Sequence, residues 1–496
     1  MRQRVRVVVA IAVAVTAVGP RAVAAQVVPA PSDTVQLSLA DALMRALERS
    51  EEVRIAEAQV DQAAAQVASA RSELLPQVNT QLSYTRALRS VFQGTGFEIP
   101  DSLRFEPDSL APVLDRISYL ENNADNAAFE ALGGLFGDLP FGREHTWNAL
   151  ATVQQPVFSM RIFSAVQLAG AAADAARAGY EEAVADVSLS VADAYLAAAL
   201  AEESAHIVEA SVALATAHLG QVRLQLDAGV ASELDVLRAD VELENLRPQL
   251  AQANNARDLA ASNLKRLVNL PADTEVALTT PLSTDAGDLP AVGAIALPSL
   301  AEAEPQLARR ASIRAAEAQI EIRRQQVDIA RAAFYPTVNL SGNFGRQAFP
   351  SGIFPSGGDW RDDWNVGLSL SWPLFQGFRR KAELDAARAQ VQQAELQSAQ
   401  LEEGVRLEYD GALRELERAQ LQIEAALRTV AQAQRVYELT ELRFREGLAT
   451  QLDVSDARLA LQQARLNQAT AYHDYYLGVA RAQRALGQPV MGVQTR

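Results

Sequence analysis

Two periodicities alternate along this chain. From Leu39 to Leu75, Ala, Leu, Ile and Val recur every three or four residues with charges between them, which predicts amphipathic helix ended by Pro76. Past Ser159 the helical spacing returns and runs on: no proline falls between Pro156 and Pro248, or between Pro373 and Pro489. Ala, Leu, Glu, Gln and Arg, all strong helix formers, dominate both runs. Ser159 to Ala228 as one straight helix would be roughly 105 Å long. Such a helix cannot bury its apolar stripe inside an ordinary domain. It must pair with a return helix, Leu234 to Asn269, and with other such pairs. Pro248 is expected to kink that return helix, and Leu466 holds the matching place in a later one.

Between the helical runs the period drops to two. Val78 to Tyr84 and Val338 to Phe344 alternate apolar with polar residues, and Trp364-Asn-Val-Gly-Leu-Ser-Leu-Ser-Trp372 does so without a fault. Trp147 to Val153 is a looser version. Alternation predicts strands with one apolar and one polar face. Their length suits a tilted transmembrane strand, with Trp364 and Trp372 at the two interfaces. Asn365, Ser369 and Ser371 would then face a lumen, and Trp364, Val366, Leu368 and Leu370 would face lipid. The competing reading is a soluble hairpin packed on helices. If the membrane reading holds, four strands cannot close a barrel, which needs about eight, and lipid tolerates no open edge. The chain must then oligomerise, and three copies would supply twelve strands.

The whole pattern is written twice. Ala56-Glu-Ala-Gln-Val60 recurs as Ala316-Glu-Ala-Gln-Ile320, and Pro76, Val78 and Asn79 recur as Pro336, Val338 and Asn339, at an offset of 260. Trp147, Asn148, Pro156 and Phe158 match Trp364, Asn365, Pro373 and Phe375 at 217. "GVASELDV" from Gly229 matches "GLATQLDV" from Gly447 at 218. A period above 200 residues marks a duplicated domain, not a solenoid. The expected division is a first repeat over 36–271, a linker over 272–298 rich in Pro, Thr, Asp and Gly, and a second repeat over 299–489. Strands are expected near 77–89, 147–157, 337–348 and 364–374, with tips near 229–235 and 447–453. The first half carries an acidic insert over 91–146, expected outside the cell.

The tips hold the candidate chemistry. Ser232-Glu-Leu-Asp235 and Thr450-Gln-Leu-Asp453 fit a capping box with Asp in the place of Glu or Gln, so Asp235 and Asp453 read as helix caps. Asp456 lies one turn beyond Asp453 on the same face, and its counterpart in the first half is Arg238. In a trimer Asp453 and Asp456 could ring a constriction and favour cations. A solvated face, or a salt bridge from Asp456 to Arg238 of a neighbouring hairpin, is the alternative.

Composition narrows the setting. Residues 1–25 have a basic start at Arg2, Arg4 and Arg6, an apolar Val7–Val18 core and a small-residue cleavage site, which predicts a secretory signal peptide. Removing it takes away four arginines, and the net charge falls from −16 to −20, a poor match to nucleic acid. The chain has no cysteine, and His145, His206, His218 and His473 lack metal-ligand spacing, so no metal or other cofactor is expected. Beyond the signal peptide no charge-free apolar stretch of membrane-spanning length is apparent. No catalytic constellation appears, which sets an enzyme aside.

A duplicated unit of helix, strand hairpin and long helical hairpin, with "LLPQVN", "FYPTVN", "WPLFQGF" and the two tips, resembles the TolC family of outer-membrane efflux proteins over residues 36–489. The resemblance implies a mainly α fold with transmembrane β structure: a homotrimer with a twelve-stranded β-barrel in outer-membrane lipid and a twelve-helix tube crossing the periplasm. It implies a passive exit duct for an inner-membrane transporter in efflux or type I secretion, reached through a periplasmic adaptor. Adaptor contacts would fall on Gly229, Val230, Ala231 and Ser232, and on Gly447, Leu448, Ala449 and Thr450. Asp453 and Asp456 match an acidic pair lining the entrance in some members. Ala449 stands where some of those members carry arginine, so their inter-hairpin gate links are in doubt here. A periplasmic adaptor or structural coiled-coil protein is the alternative, but it predicts one hairpin and no duplicated strand pairs.

Overall fold

The computed structural model describes residues 35–89, 105, 107–127, 144–280, 282, 292 and 295–492. The expected signal peptide, much of the 91–146 insert and part of the 272–298 linker lie outside the described residues. The first half contains β1 (Val35–Leu37), α1 (Leu39–Arg49), α2 (Glu51–Ser72), β2 (Gln77–Arg86), α3 (Val113–Asn122), β3 (His145–Phe158), α4 (Met160–Asp227) and α5 (Glu233–Leu267). There follow β4 (Val276–Leu278), α6 (Leu300–Leu307), α7 (Ala311–Ala332), β5 (Thr337–Ala348), β6 (Trp360–Ser371), α8 (Arg379–Arg445) and α9 (Gln451–Ala485).

The 68-residue α4 and 67-residue α8 each reach about 100 Å, and each returns through a 35-residue helix, α5 or α9. Helix α5 stays helical through Pro248, which forfeits one backbone bond without ending the run. Within α4 one window is long and apolar enough to cross a membrane. Half of that window is buried against neighbouring helices, so it reads as core. There Val191, Tyr195 and Leu196 pack with Leu43, Leu264, Tyr475 and Tyr476 in one buried cluster. The Tyr195 hydroxyl donates to the Leu37 carbonyl (2.9 Å) and accepts from the Thr280 amide (3.1 Å), which anchors the parallel β1–β4 pair to the bundle.

Charge joins the two halves where their helices meet. Arg310, at the start of α7, is almost wholly buried and donates to Glu182 of α4 (3.0 Å) and to Glu408 of α8 (2.7 Å). Arg484 of α9 bonds the same two carboxylates at 3.1 and 2.7 Å, which closes a four-membered ring. Alternating signs leave no charge in that ring uncompensated, as burial requires.

All four long strands form a single antiparallel sheet in the order β2-β3-β5-β6, so the two halves are hydrogen-bonded to each other through β3 and β5. At two neighbouring positions the register lines up like with like across all four strands. Val78, Val153, Gly342 and Val366 form one row, and the adjacent row on the opposite face is Asn79, Thr152, Asn343 and Asn365. Asn343 Nδ2 donates to Asn365 Oδ1 at 2.8 Å within the polar row. On the apolar face Val366 and Leu368 remain 79% and 69% exposed, and no helix among the described residues covers them. Among the described residues, one side of β2 and one side of β6 have no strand partner in the sheet.

Strand β6 begins four residues earlier than the alternation suggests, at Trp360. Trp364 therefore lies inside the strand. It still bounds the apolar band: on the same face the next cross-strand pair is the ion pair Arg346–Asp362 (2.6 Å). Beyond this lie Trp360, Trp147 and Tyr84, and the Trp147 indole donates to the Ile353 carbonyl at 2.7 Å. At the helical end, the Trp372 indole donates to the Phe334 carbonyl (3.1 Å), and Arg380 donates to the Leu374 carbonyl (2.7 Å) while stacking on Phe334. These contacts bring "FYPTVN" and "WPLFQGF" together as one junction between sheet and helices.

If the apolar face meets lipid, Leu368→Arg will cost about 2–4 kcal/mol of membrane stability, whereas Ser369→Arg on the opposite face will be tolerated. Denaturant titration of folding into vesicles measures both; equal costs would show that the alternation does not report a bilayer.

Candidate functional site

The far ends of the two helical hairpins are built alike. Helix α4 closes with a left-handed Gly229 (φ +74°) and α8 with a left-handed Gly447 (φ +72°). The Val230 amide donates back to the Gln225 carbonyl and the Leu448 amide to the Arg443 carbonyl, both at 2.8 Å. The Gly229 and Gly447 amides donate one position further on, to Leu226 (2.9 Å) and Phe444 (3.0 Å). This is the paired bonding that satisfies the last carbonyls of a helix. A Cβ at either glycine would meet nothing within 4 Å. Glycine is needed here for its positive φ and not for room.

The return helices start on full capping boxes. The Asp235 carboxylate accepts from the Ser232 amide (3.0 Å) and hydroxyl (2.6 Å), while Ser232 Oγ accepts from the Asp235 amide (3.3 Å). Thr450 and Asp453 repeat the set at 2.7, 2.7 and 3.3 Å. The hydroxyl bond first, and the amide bond second, hold both carboxyls below the usual aspartate range.

Asp456 is exposed on α9 and Arg238 is exposed on α5, and among the described residues no ion pair joins them. The two tips sit together, for Ala231 and Ala449 pack against one shared buried cluster. Val230 (75% exposed) and Leu448 (68%) project from it.

A surface set escaped the reading of the sequence. Leu224, Leu234 and Val241 in the first hairpin and Leu442, Leu452 and Leu459 in the second are all exposed. They correspond one to one at the offset of 218. Together with Val230 and Leu448 they give each tip the same uncovered apolar ridge. The signal available was that ridge's duplication, which a search limited to glycine, hydroxyl and carboxylate positions passes over. Among the described residues no group of three or more His, Asp or Glu side chains could hold a metal ion. His145 lies against Tyr84, His218 against Phe444, and His473 beside Asp474.

The outer membrane efflux protein family model matches residues 42–270 and 304–488. The chain is 32% identical over 265 residues to the probable efflux pump outer membrane protein TtgC of Pseudomonas putida, an alignment covering 50% of this chain and 51% of that one. The chain thus spans about half the length of such curated relatives in the matched stretch. Among solved structures it resembles the open MtrE outer membrane channel of Neisseria gonorrhoeae at a TM-score of 0.69 and 20% identity, covering 92% of this chain and 91% of that one. It also resembles VceC of Vibrio cholerae at a TM-score of 0.67 and 22% identity, covering 92% and 97%. At those identities the likeness is one of fold.

Because both cap aspartates have depressed folded pKa values, each cap is complete above the ordinary aspartate pKa and is lost as pH falls through the depressed value. Hydrogen-exchange protection of the first turns of α5 and α9, corrected for intrinsic rates, will therefore hold at pH 6 and decline below about pH 4. Ser232→Ala will lower protection at α5 alone, by about 1 kcal/mol. Unaltered protection in that variant would deny the cap its role.

Proposed function

The chain belongs to the outer membrane efflux protein family, and on that premise we propose that it is the outer-membrane exit duct of a tripartite efflux or type I secretion system. The observation that carries this reading is the sheet. Among the described residues it has one apolar and one polar face, two unpaired edges and no covering layer, and it stands on helical hairpins about 100 Å long. A bilayer is the solvent that suits the apolar face, and helices of that length suit a periplasmic tube. Three copies give twelve strands and twelve long helices, with the polar rows of Asn79, Thr152, Asn343 and Asn365 lining the passage. A periplasmic adaptor or coiled-coil protein would have no use for such a sheet.

The duct has no chemistry of its own. Cargo would be delivered by an inner-membrane transporter through a periplasmic adaptor that docks on the tips. We assign adaptor contact to Gly229, Val230, Ala231 and Ser232, to Gly447, Leu448, Ala449 and Thr450, and to the duplicated ridge above them. A ridge repeated twice per chain suits a partner that meets the two hairpins in equivalent ways. Asp453 and Asp456 are the proposed constriction. Asp453 serves its helix cap as well, so its charge is fixed in place by Thr450. Asp456 makes the acidic ring three-fold, because the first hairpin presents Arg238 at the same position.

Purified protein in planar bilayers will conduct ions. Asp453→Ala combined with Asp456→Ala will reduce cation selectivity and move the reversal potential in a salt gradient towards zero. An unchanged reversal potential would remove both residues from the pore, and wild-type protein that never conducts would overturn the duct.

A further inference from the structure

Three arginines are buried among the described residues: Arg310, Arg380 and Arg458. Arg310 meets the carboxylates of Glu182 and Glu408, and Arg458 of α9 donates from Nε to Glu242 of α5 at 2.8 Å. Arg380 has no carboxylate partner among the described residues. Its guanidinium donates to the Ala333 and Leu374 carbonyls at 3.1 and 2.7 Å and lies 4.9 Å from the centre of the Phe334 ring. Carbonyl dipoles and an aromatic face soften such a charge without cancelling it. The neighbouring carbonyl, that of Phe334, takes the indole of Trp372, whose place in the alternation is on the apolar side. An uncompensated cation therefore stands where the apolar face ends.

Its surroundings add to the charge. Arg379-Arg380-Lys381 is the only run of three consecutive basic residues in a chain of net charge −16, and it opens α8. Cations at that end oppose the helix dipole. Helices α1, α2, α3, α5, α6 and α9 each carry Asp or Glu in the first turn. Helix α7 starts after Arg310 with its two carboxylates. Helices α4 and α8, which lead away from the sheet, have neither an acidic first turn nor a side-chain cap bond. Lys381 is exposed and has no ion pair among the described residues, and Arg379 approaches Glu383 only to 3.7 Å. Just before them Gly377 and Phe378 are both left-handed, at φ +61° and +64°. That conformation is rare for an aromatic residue, and an outlier of this kind points to a use. Here the turn sets the Phe375 and Phe378 rings edge to face at 5.6 Å, with the two residues 73% and 74% exposed.

We propose that Arg379 and Lys381, beside the exposed rings of Phe375 and Phe378, hold the phosphate of an anionic phospholipid in the leaflet that faces the helices. This rests on the membrane-spanning duct proposed above. The two rings would lie among the acyl chains and glycerol backbones, as aromatic side chains do at a bilayer boundary. The two exposed cations would meet the headgroup, and its negative charge would offset Arg380 and the amide end of α8 together. The first half carries a weaker form of the same junction, with Arg161 near the partly exposed Phe158 and Phe163.

The test uses the intact protein in detergent micelles with dioleoylphosphatidylglycerol or dioleoylphosphatidylcholine added, and counts bound lipid by native mass spectrometry. Wild type will prefer phosphatidylglycerol, and the preference will shrink as ammonium acetate is raised. A cation beside an anionic headgroup contributes about fivefold in affinity, so Arg379→Gln with Lys381→Gln will weaken phosphatidylglycerol binding roughly 25-fold and leave phosphatidylcholine binding unchanged. Arg428→Gln with Arg435→Gln removes two exposed cations from the middle of the same helix and will alter neither. A wild type without the preference would overturn the proposal, as would an equal loss in the mid-helix variant. A first double variant that keeps the preference would show that these cations meet some other group, such as a carboxylate of a neighbouring chain, and would overturn it too. Should that variant fail to assemble, the salt series on wild type still decides, since a preference indifferent to salt is not one of charge. Wild-type protein that stays in solution without detergent would instead bring down the membrane reading, and this site with it.

Discussion

A backbone amide at the edge of a sheet has water to bond in solution and nothing to bond in hydrocarbon, where each unsatisfied group costs several kcal/mol. That constraint governs the proposed duct, because its sheet is apolar on one face and, among the described residues, has unpaired sides on β2 and β6. The four strands cannot close on themselves. In the proposed trimer other copies complete that surface, with β6 of one chain meeting β2 of the next. The register serves this closure. The row of Val78, Val153, Gly342 and Val366 and the row of Asn79, Thr152, Asn343 and Asn365 keep one chemistry each across both halves of the duplication, so a ring of such sheets would carry an apolar belt outside and a polar belt inside at that level.

The helices carry a related demand. Neither α4 nor α8 could bury its stripe alone, and the chain answers with shared cores at separate heights: one around Tyr195, Tyr475 and Tyr476, another between the tips. Between sheet and tips the closed ring of Arg310, Arg484, Glu182 and Glu408 joins first-half and second-half helices. The ring thus ties the start of α7 and the end of α9 to α4 and α8.

Much of this was legible in the residues. The fault-free alternation from Val366 to Leu370 could only be a strand, and the long runs without proline could only be long helices. The tip glycines were legible because a positive φ is a local demand, and the Ser232–Asp235 and Thr450–Asp453 caps because three residues suffice to state them. What escaped were features set by register or by distant contact. Strand β6 runs on to Trp360 through Arg361, Asp362 and Asp363, charges that look like a loop until Arg346 is found opposite Asp362. The pair Glu242–Arg458 joins residues 216 apart, and no local pattern announces it. The apolar ridge at the tips was missed for another reason: exposure is a property of the fold, and Leu234 or Leu452 reads in sequence as one more core position.

The central claim is that unpaired strand edges make this chain complete only as three copies in a membrane. Native mass spectrometry of the protein released from detergent micelles tests it most directly. The account predicts a complex of three chains that persists in mild detergent and dissociates only when the sheet is unfolded. A folded, monodisperse monomer in detergent-free buffer would contradict it.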